Sequence, residues 1–71
     1  MQLGILQEEL KQWGELIITT ASGDTFEIHL GDNLKFDTQQ NTLHLTTPDA
    51  MYTIDGNSIE EVKKHYGHKV Q

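Results

Sequence analysis

Between Asp24 and Ile54 apolar and polar side chains alternate with a period of two, and the alternation keeps its register through two successive turns. In the stretch TFEIHL, Phe26, Ile28 and Leu30 fall on one side, and Thr25, Glu27 and His29 on the other. That pattern belongs to a strand with one buried and one wet face. In LKFDTQQNTLHL, pairing Phe36 with Leu43 sets Leu34 opposite Leu45, so all four share a face. The turn Thr47-Pro48-Asp49-Ala50 has proline where a type I turn needs a fixed φ. Folding back from it sets Tyr52 opposite Leu45 and Ile54 opposite Leu43. A slip of one residue would turn each apolar set outward, so the agreement predicts a three-stranded antiparallel meander.

The flanking segments complete a mostly β chain. Leu3, Leu6, Leu10 and Trp13, with Ile5 beside them, are spaced by three and four and predict an amphipathic helix over residues 1–13. Gly14 is placed to end it in the left-handed conformation. ELIITTA (residues 15–21) is β-branched and reads as the first strand, with Ser22-Gly23-Asp24 as a tight turn after it. Gly31-Asp32-Asn33 interrupts the second strand without changing its parity. That predicts a sharp bend in one long strand, the device by which a small barrel lets a strand serve two sheets. Beyond Ile54 two signals compete. Ser58 and Glu61 form a capping box, with Glu60 and Glu61 in a first helical turn and Lys63, Lys64 and His65 in a last one. Val62, Lys64, Tyr66, His68 and Val70 alternate as a final strand would. A short helical turn leading into an edge strand reconciles them. One domain is expected over residues 1–71: the helix at 1–13, a curved antiparallel sheet at 15–66 and a tail at 67–71.

A chain of 71 residues with 35% hydrophobic side chains is near the lower limit for a self-sufficient core. Without cysteine, neither a disulfide nor a thiolate metal site reinforces it. Self-association, which also hides strand edges, is the remaining remedy, and a homo-oligomer is expected. The net charge is −6, from eleven acidic residues against five lysines and no arginine. That balance opposes binding to a phosphate backbone, DNA included. No apolar run reaches the length of a membrane span, and no basic-then-apolar leader precedes a cleavage site, so a cytoplasmic protein is expected.

Two local motifs carry a family likeness. Phe36-Asp37-Thr38-Gln39-Gln40-Asn41, followed by the apolar Leu43, is similar to an aromatic-Asp-x-x-x-Asn turn. Ile54-Asp55-Gly56-Asn57-Ser58-Ile59-Glu60-Glu61-Val62 is similar to an apolar-Arg-Gly-x-x-apolar-x-x-apolar segment. With an N-terminal helix before a strongly curved antiparallel sheet, residues 15–66 thus resemble the Sm and Sm-like family of small ring-forming β-barrels. A generic SH3-like barrel accounts for the same residues. The resemblance implies that Asp37 and Asn41 line a base pocket, with Asp55 beside them. Asp55 stands where the family has the arginine that helps grip RNA, and the stretch from the Gly23 turn to Phe36 is longer than the family pattern. An acidic rim repels a phosphate chain, so the resemblance speaks for a ring-forming barrel more than for RNA.

Other residues each have a plain reading and a functional one. Trp13, the single tryptophan, is a core plug or a stacking platform for a ligand. His29 and His44 occupy polar strand positions, and His65 and His68 lie three apart near the C-terminus. Zinc needs three or four ligands held by oriented partners, and these histidines do not supply that set, so no metal site and no cofactor are expected. Asp37 and Asp55 form a carboxylate pair on paper, but aspartate is favoured at turns because it bonds nearby backbone. With no Gly-x-Ser-x-Gly, no phosphate-binding glycine loop and no cysteine nucleophile, no enzyme is expected. The polar residues Thr25, Glu27, His29, Lys35, Thr42, His44, Thr46 and Thr53 read as a solvated sheet face or as a recognition surface.

The expected protein is therefore a small antiparallel β-barrel of SH3 or Sm type with an N-terminal amphipathic helix. It is expected to be an oligomeric, non-enzymatic binding module for a partner protein or a compact polar ligand such as a nucleotide messenger. Trp13, His29, Asp37, Asn41, His44, Asp55 and Asn57 are its candidate ligand residues, and single-stranded RNA binding by an Sm-like ring is the alternative.

Overall fold

The computed structural model describes residues 1–64. Helix α1 (Leu3–Trp13) precedes six strands: β1 (Glu15–Thr20), β2 (Thr25–His29), β3 (Asn33–Asp37), β4 (Thr42–Thr46), β5 (Met51–Asp55) and β6 (Ile59–Lys64). A one-turn 3-10 segment, Gly56–Ser58, joins β5 to β6. The fold is mostly β, built from two antiparallel three-stranded sheets with strand orders β2-β1-β6 and β3-β4-β5. Tyr66 and the tail expected over 67–71 lie outside the described residues.

The second sheet has the register that its alternation predicts. Phe36 faces Leu43, Leu34 faces Leu45, and Tyr52 and Ile54 face Leu45 and Leu43 in turn. Thr47 closes the second turn: its N–H donates to the Ala50 carbonyl at 2.8 Å and its hydroxyl to Asp49 Oδ1 at 2.7 Å. Leu43, Leu45 and Ile54 of this sheet meet Leu16, Ile18 and Ile28 of the first, with Ile59 from β6. Leu3, Leu6 and Leu10 complete this core from the helix, which lies against both β1 and β3. Gly14 ends the helix at φ 82°, its N–H donating to the Leu10 carbonyl at 2.8 Å. Ile5 is left exposed on the outer helix face.

Three expectations are corrected. Leu30 does not join Phe26 and Ile28 on the buried face but is 48% exposed. The chain turns there: Gly31 takes φ 93°, and the His29 N–H donates to Asp32 Oδ2 at 2.8 Å. The bend is thus a true break, and β2 and β3 belong to different sheets. The single polar face is divided for the same reason, with Thr25, Glu27 and His29 on one sheet and the other five residues on the second. The capping-box helix does not form over the described part of its span. Ser58 Oγ donates to the Asp55 carbonyl at 2.7 Å, and Ile59–Lys64 pair with β1 as an edge strand. Backbone pairing along a whole strand outweighs one local cap. The compromise, a short helical turn leading into a strand, has the right form, with the turn at Gly56–Ser58.

One side chain ties the far ends of the chain together. Asn41, at φ 53°, accepts the Leu3 N–H on Oδ1 at 3.2 Å and donates from Nδ2 to Asn57 Oδ1 at 3.1 Å. Its carbonyl accepts the Gly56 N–H at 2.7 Å. A Cβ on Gly56 would lie 2.7–2.8 Å from Asn41, its backbone oxygen included. Gly56→Ala is therefore expected to destabilise the fold by about 1–3 kcal/mol through overpacking. Gly4→Ala meets nothing within 4 Å and should stabilise it by about 0.5 kcal/mol. Urea unfolding of the two variants checks both signs.

Candidate functional site

Asp37, Asn41, Asp55 and Asn57 stand together at one end of the second sheet. The register sets Asp37 opposite Thr42 and Thr42 opposite Asp55, so the two carboxylates flank one threonine. Each carboxylate holds its own turn: Asp37 Oδ1 accepts the Gln40 N–H at 3.0 Å, and Asp55 Oδ1 the Asn57 N–H at 2.9 Å. With Asn41 tied to Leu3 and Asn57, much of the hydrogen bonding here is directed into the fold.

His44 lies midway along β4, half-buried on the outer face of the second sheet, between Lys35 and Thr53 in a cross-strand row. Thr42 and Thr46 share that face, which is rich in hydroxyls. Trp13 lies on a different element, the helix. It is the last residue of the helix, partly buried and packed against the core.

His29 sits in a third place, among acidic side chains. Its Nε2 lies 2.7 Å from Glu15 Oε2 and 3.0 Å from Glu27 Oε1, and its Nδ1 3.3 Å from Asp32 Oδ2. Three carboxylates thus surround one imidazole, from β1, from β2 and from the turn after β2. The Glu15 side chain is only 9% exposed, whereas that of His29 is 42% exposed. Among the described residues no buried side-chain polar atom lacks a partner. Burial pulls the His29 pKa down. Hydrogen bonds to Glu15 and Asp32, with their negative charges, outweigh that pull and raise it above 6.5.

The ligand atoms of Glu15, Glu27 and His29 lie within 4.8 Å of one another, close enough to share a cation. Each ring nitrogen of His29 already faces at least one of the surrounding carboxylates, and no metal ligand is assigned here. Beside His29 opens a cleft of about 190 Å³ between the helix and the β2–β3 turn. Leu10, Leu30, Leu34 and Phe36 give it an apolar lining, with Lys11 and Asp32 among its polar residues. It is smaller than the ~300–1,000 Å³ of pockets for drug-sized ligands and suits one side chain or a small group.

Of the seven candidate residues, then, four gather at one sheet end, while Trp13, His29 and His44 stand apart. Sequence reasoning missed Glu15, which it treated as the first residue of a strand. The signal was present: folding the first hairpin about Ser22 pairs Glu15 with His29, and the structure has that pair. Comparison with protein-family models, with curated proteins and with solved structures returns no match for this chain.

A histidine whose pKa is raised by folding contributes stability that is complete below its unfolded value and is lost as pH rises through the folded value. Replacement of His29 by Gln should therefore lower stability most in slightly acid buffer, below pH 6.5. The difference from the parent protein should close as the buffer becomes alkaline. Half-exposure of the ring keeps the effect small. Paired urea titrations across that range measure it, and a gap that widened with pH would have the wrong sign.

Proposed function

We propose that the protein is a non-enzymatic binding module, a small and partly open β-barrel of SH3 or Sm type that assembles with copies of itself. In this reading the two sheets are the halves of the barrel, and an edge-to-face contact between Phe26 of one and Tyr52 of the other, with ring centroids 5.3 Å apart, supports their joining.

Strand β5 carries the proposal of assembly. Among the described residues it is an edge strand, its sequence MYTID has neither proline nor lysine and one charge, Asp55, at its end, and four of its five residues are exposed. Met51 alone is 78% exposed. Sheet edges of this kind are normally blunted by charge, proline or a bulge, and an unblunted one favours pairing with another strand. The cleft beside His29 is too small for a nucleotide. A compact polar ligand of that class is therefore assigned to the hydroxyl-rich outer face of the second sheet, around His44, where a neighbouring copy would complete the enclosure. A partner protein laid along the same face is the other occupant this reading allows.

Single-stranded RNA is the second reading. The gathering of Asp37, Asn41, Asp55 and Asn57 at one sheet end favours it, and the acidity of that end opposes it. RNA binding predicts affinity at low salt that weakens steeply as salt rises.

Introducing lysine at the two outward positions of the edge, Met51→Lys with Thr53→Lys, should leave the monomer folded and shift sedimentation towards smaller species. Calorimetric titration with cyclic and linear nucleotides should then give saturable binding to the parent assembly and weaker binding to the variant. A parent protein that sediments as a monomer removes the assembly, and silence across the nucleotide panel removes the ligand.

A further inference from the structure

We propose that His29 is a proton-controlled latch on the Leu30–Asp32 turn, so that loss of one proton loosens a wall of the cleft beside the helix. The geometry identifies which proton. Nε2 faces two carboxylates, at 2.7 Å and 3.0 Å, and the nearer belongs to the buried Glu15. Nδ1 faces one, Asp32, at 3.3 Å, on a turn at the surface. While the ring is doubly protonated, both nitrogens donate. When it gives up a proton, the shorter bond to a carboxylate shielded from water keeps its hydrogen. The neutral ring therefore carries its proton on Nε2 and turns a lone pair towards Asp32 Oδ2, and two acceptors then face each other.

The charge balance acts in the same direction. Three carboxylates around an imidazolium become three carboxylates around a neutral ring. On the helix side, Lys11 lies 3.6 Å from Glu8, and Lys64 of β6 lies 3.1 Å from Glu9, so those two lysines already have acidic neighbours. Gln7 is uncharged. Of these contacts the Asp32 carboxylate then keeps the His29 backbone N–H, at 2.8 Å, while the turn retains its backbone bonds from the Asp32 N–H to the His29 carbonyl at 3.2 Å and from the Leu30 N–H to the Gly14 carbonyl at 3.0 Å. Leu30 and Gly31, between the two ends of the latch, line the cleft. A change in the turn thus reaches the apolar lining directly, whatever the cleft receives.

Nuclear magnetic resonance of the intact protein over a pH series tests this. The ring nitrogen shifts of His29 should show the neutral form protonated on Nε2. The Gly31 amide and Leu30 methyl signals should move with the midpoint of the ring, and that midpoint should lie above that of a histidine in a short peptide. Asp32→Asn keeps an acceptor for the backbone N–H and offers an amide that can donate to the bare Nδ1. In that variant His29 should titrate at lower pH, and the Leu30 and Gly31 signals should stop following it. A neutral ring protonated on Nδ1, or turn signals indifferent to the titration in the parent protein, would overturn the latch. Persistence of the coupling in Asp32→Asn would overturn the role given to Asp32.

Discussion

Two three-stranded sheets, each apolar on one face, have nowhere to bury that face except against each other and the helix. This shared burial holds the molecule together. An isolated hairpin or an eleven-residue helix is marginal in water, so no element here is stable by itself. Among the described residues ten apolar side chains form the common core, and the helix and every strand except β3 contribute at least one. For a domain of this size total stability is on the order of 0.05–0.15 kcal/mol per residue. Truncating one buried leucine to alanine removes about 2–5 kcal/mol, a large part of that total. The core is therefore necessary at nearly every position.

Burial sets which faces meet but not how the ends are fastened. Asn41 supplies that fastening. A left-handed backbone conformation, tolerable for asparagine, aims its side chain at the start of the helix and its carbonyl at Gly56. The helix N-terminus, the β3–β4 turn and the link into β6 are joined at one residue. At the opposite end of the helix the Leu30 N–H donates to the Gly14 carbonyl at 3.0 Å, and beside that bond a second, electrostatic fastening joins His29 to its carboxylates. The first fastening is indifferent to pH near neutrality, and the second is not. The cleft opens beside the second.

What the sequence revealed follows from where a single pattern governs. The β3–β4–β5 register was legible because alternation and two short turns leave one alignment that sets the leucines of these strands, Phe36, Tyr52 and Ile54 on one face. The helix stripe and the Gly14 cap were legible for the same reason. Leu30 was not, since parity continues through it while a side chain–backbone bond from Asp32 turns the chain. The Ser58 capping box competed with the final-strand alternation and lost because it is local, whereas the pairing of Thr20 with Ile59 through Ile17 with Lys63 is not. Grouping of Asp37, Asn41, Asp55 and Asn57 was legible through two turn motifs. Burial of Glu15 was only half legible: its partner follows from hairpin register, but its depth depends on packing across elements.

The proposed assembly around a ligand would give the exposed β5 edge and the hydroxyl-bearing face of the second sheet a common purpose. Native mass spectrometry of protein purified gently from its own cells tests this most directly. The account predicts a single oligomer carrying additional mass in a fixed ratio per subunit or per interface, and that mass identifies the ligand class. A bare monomer under the same conditions would contradict it.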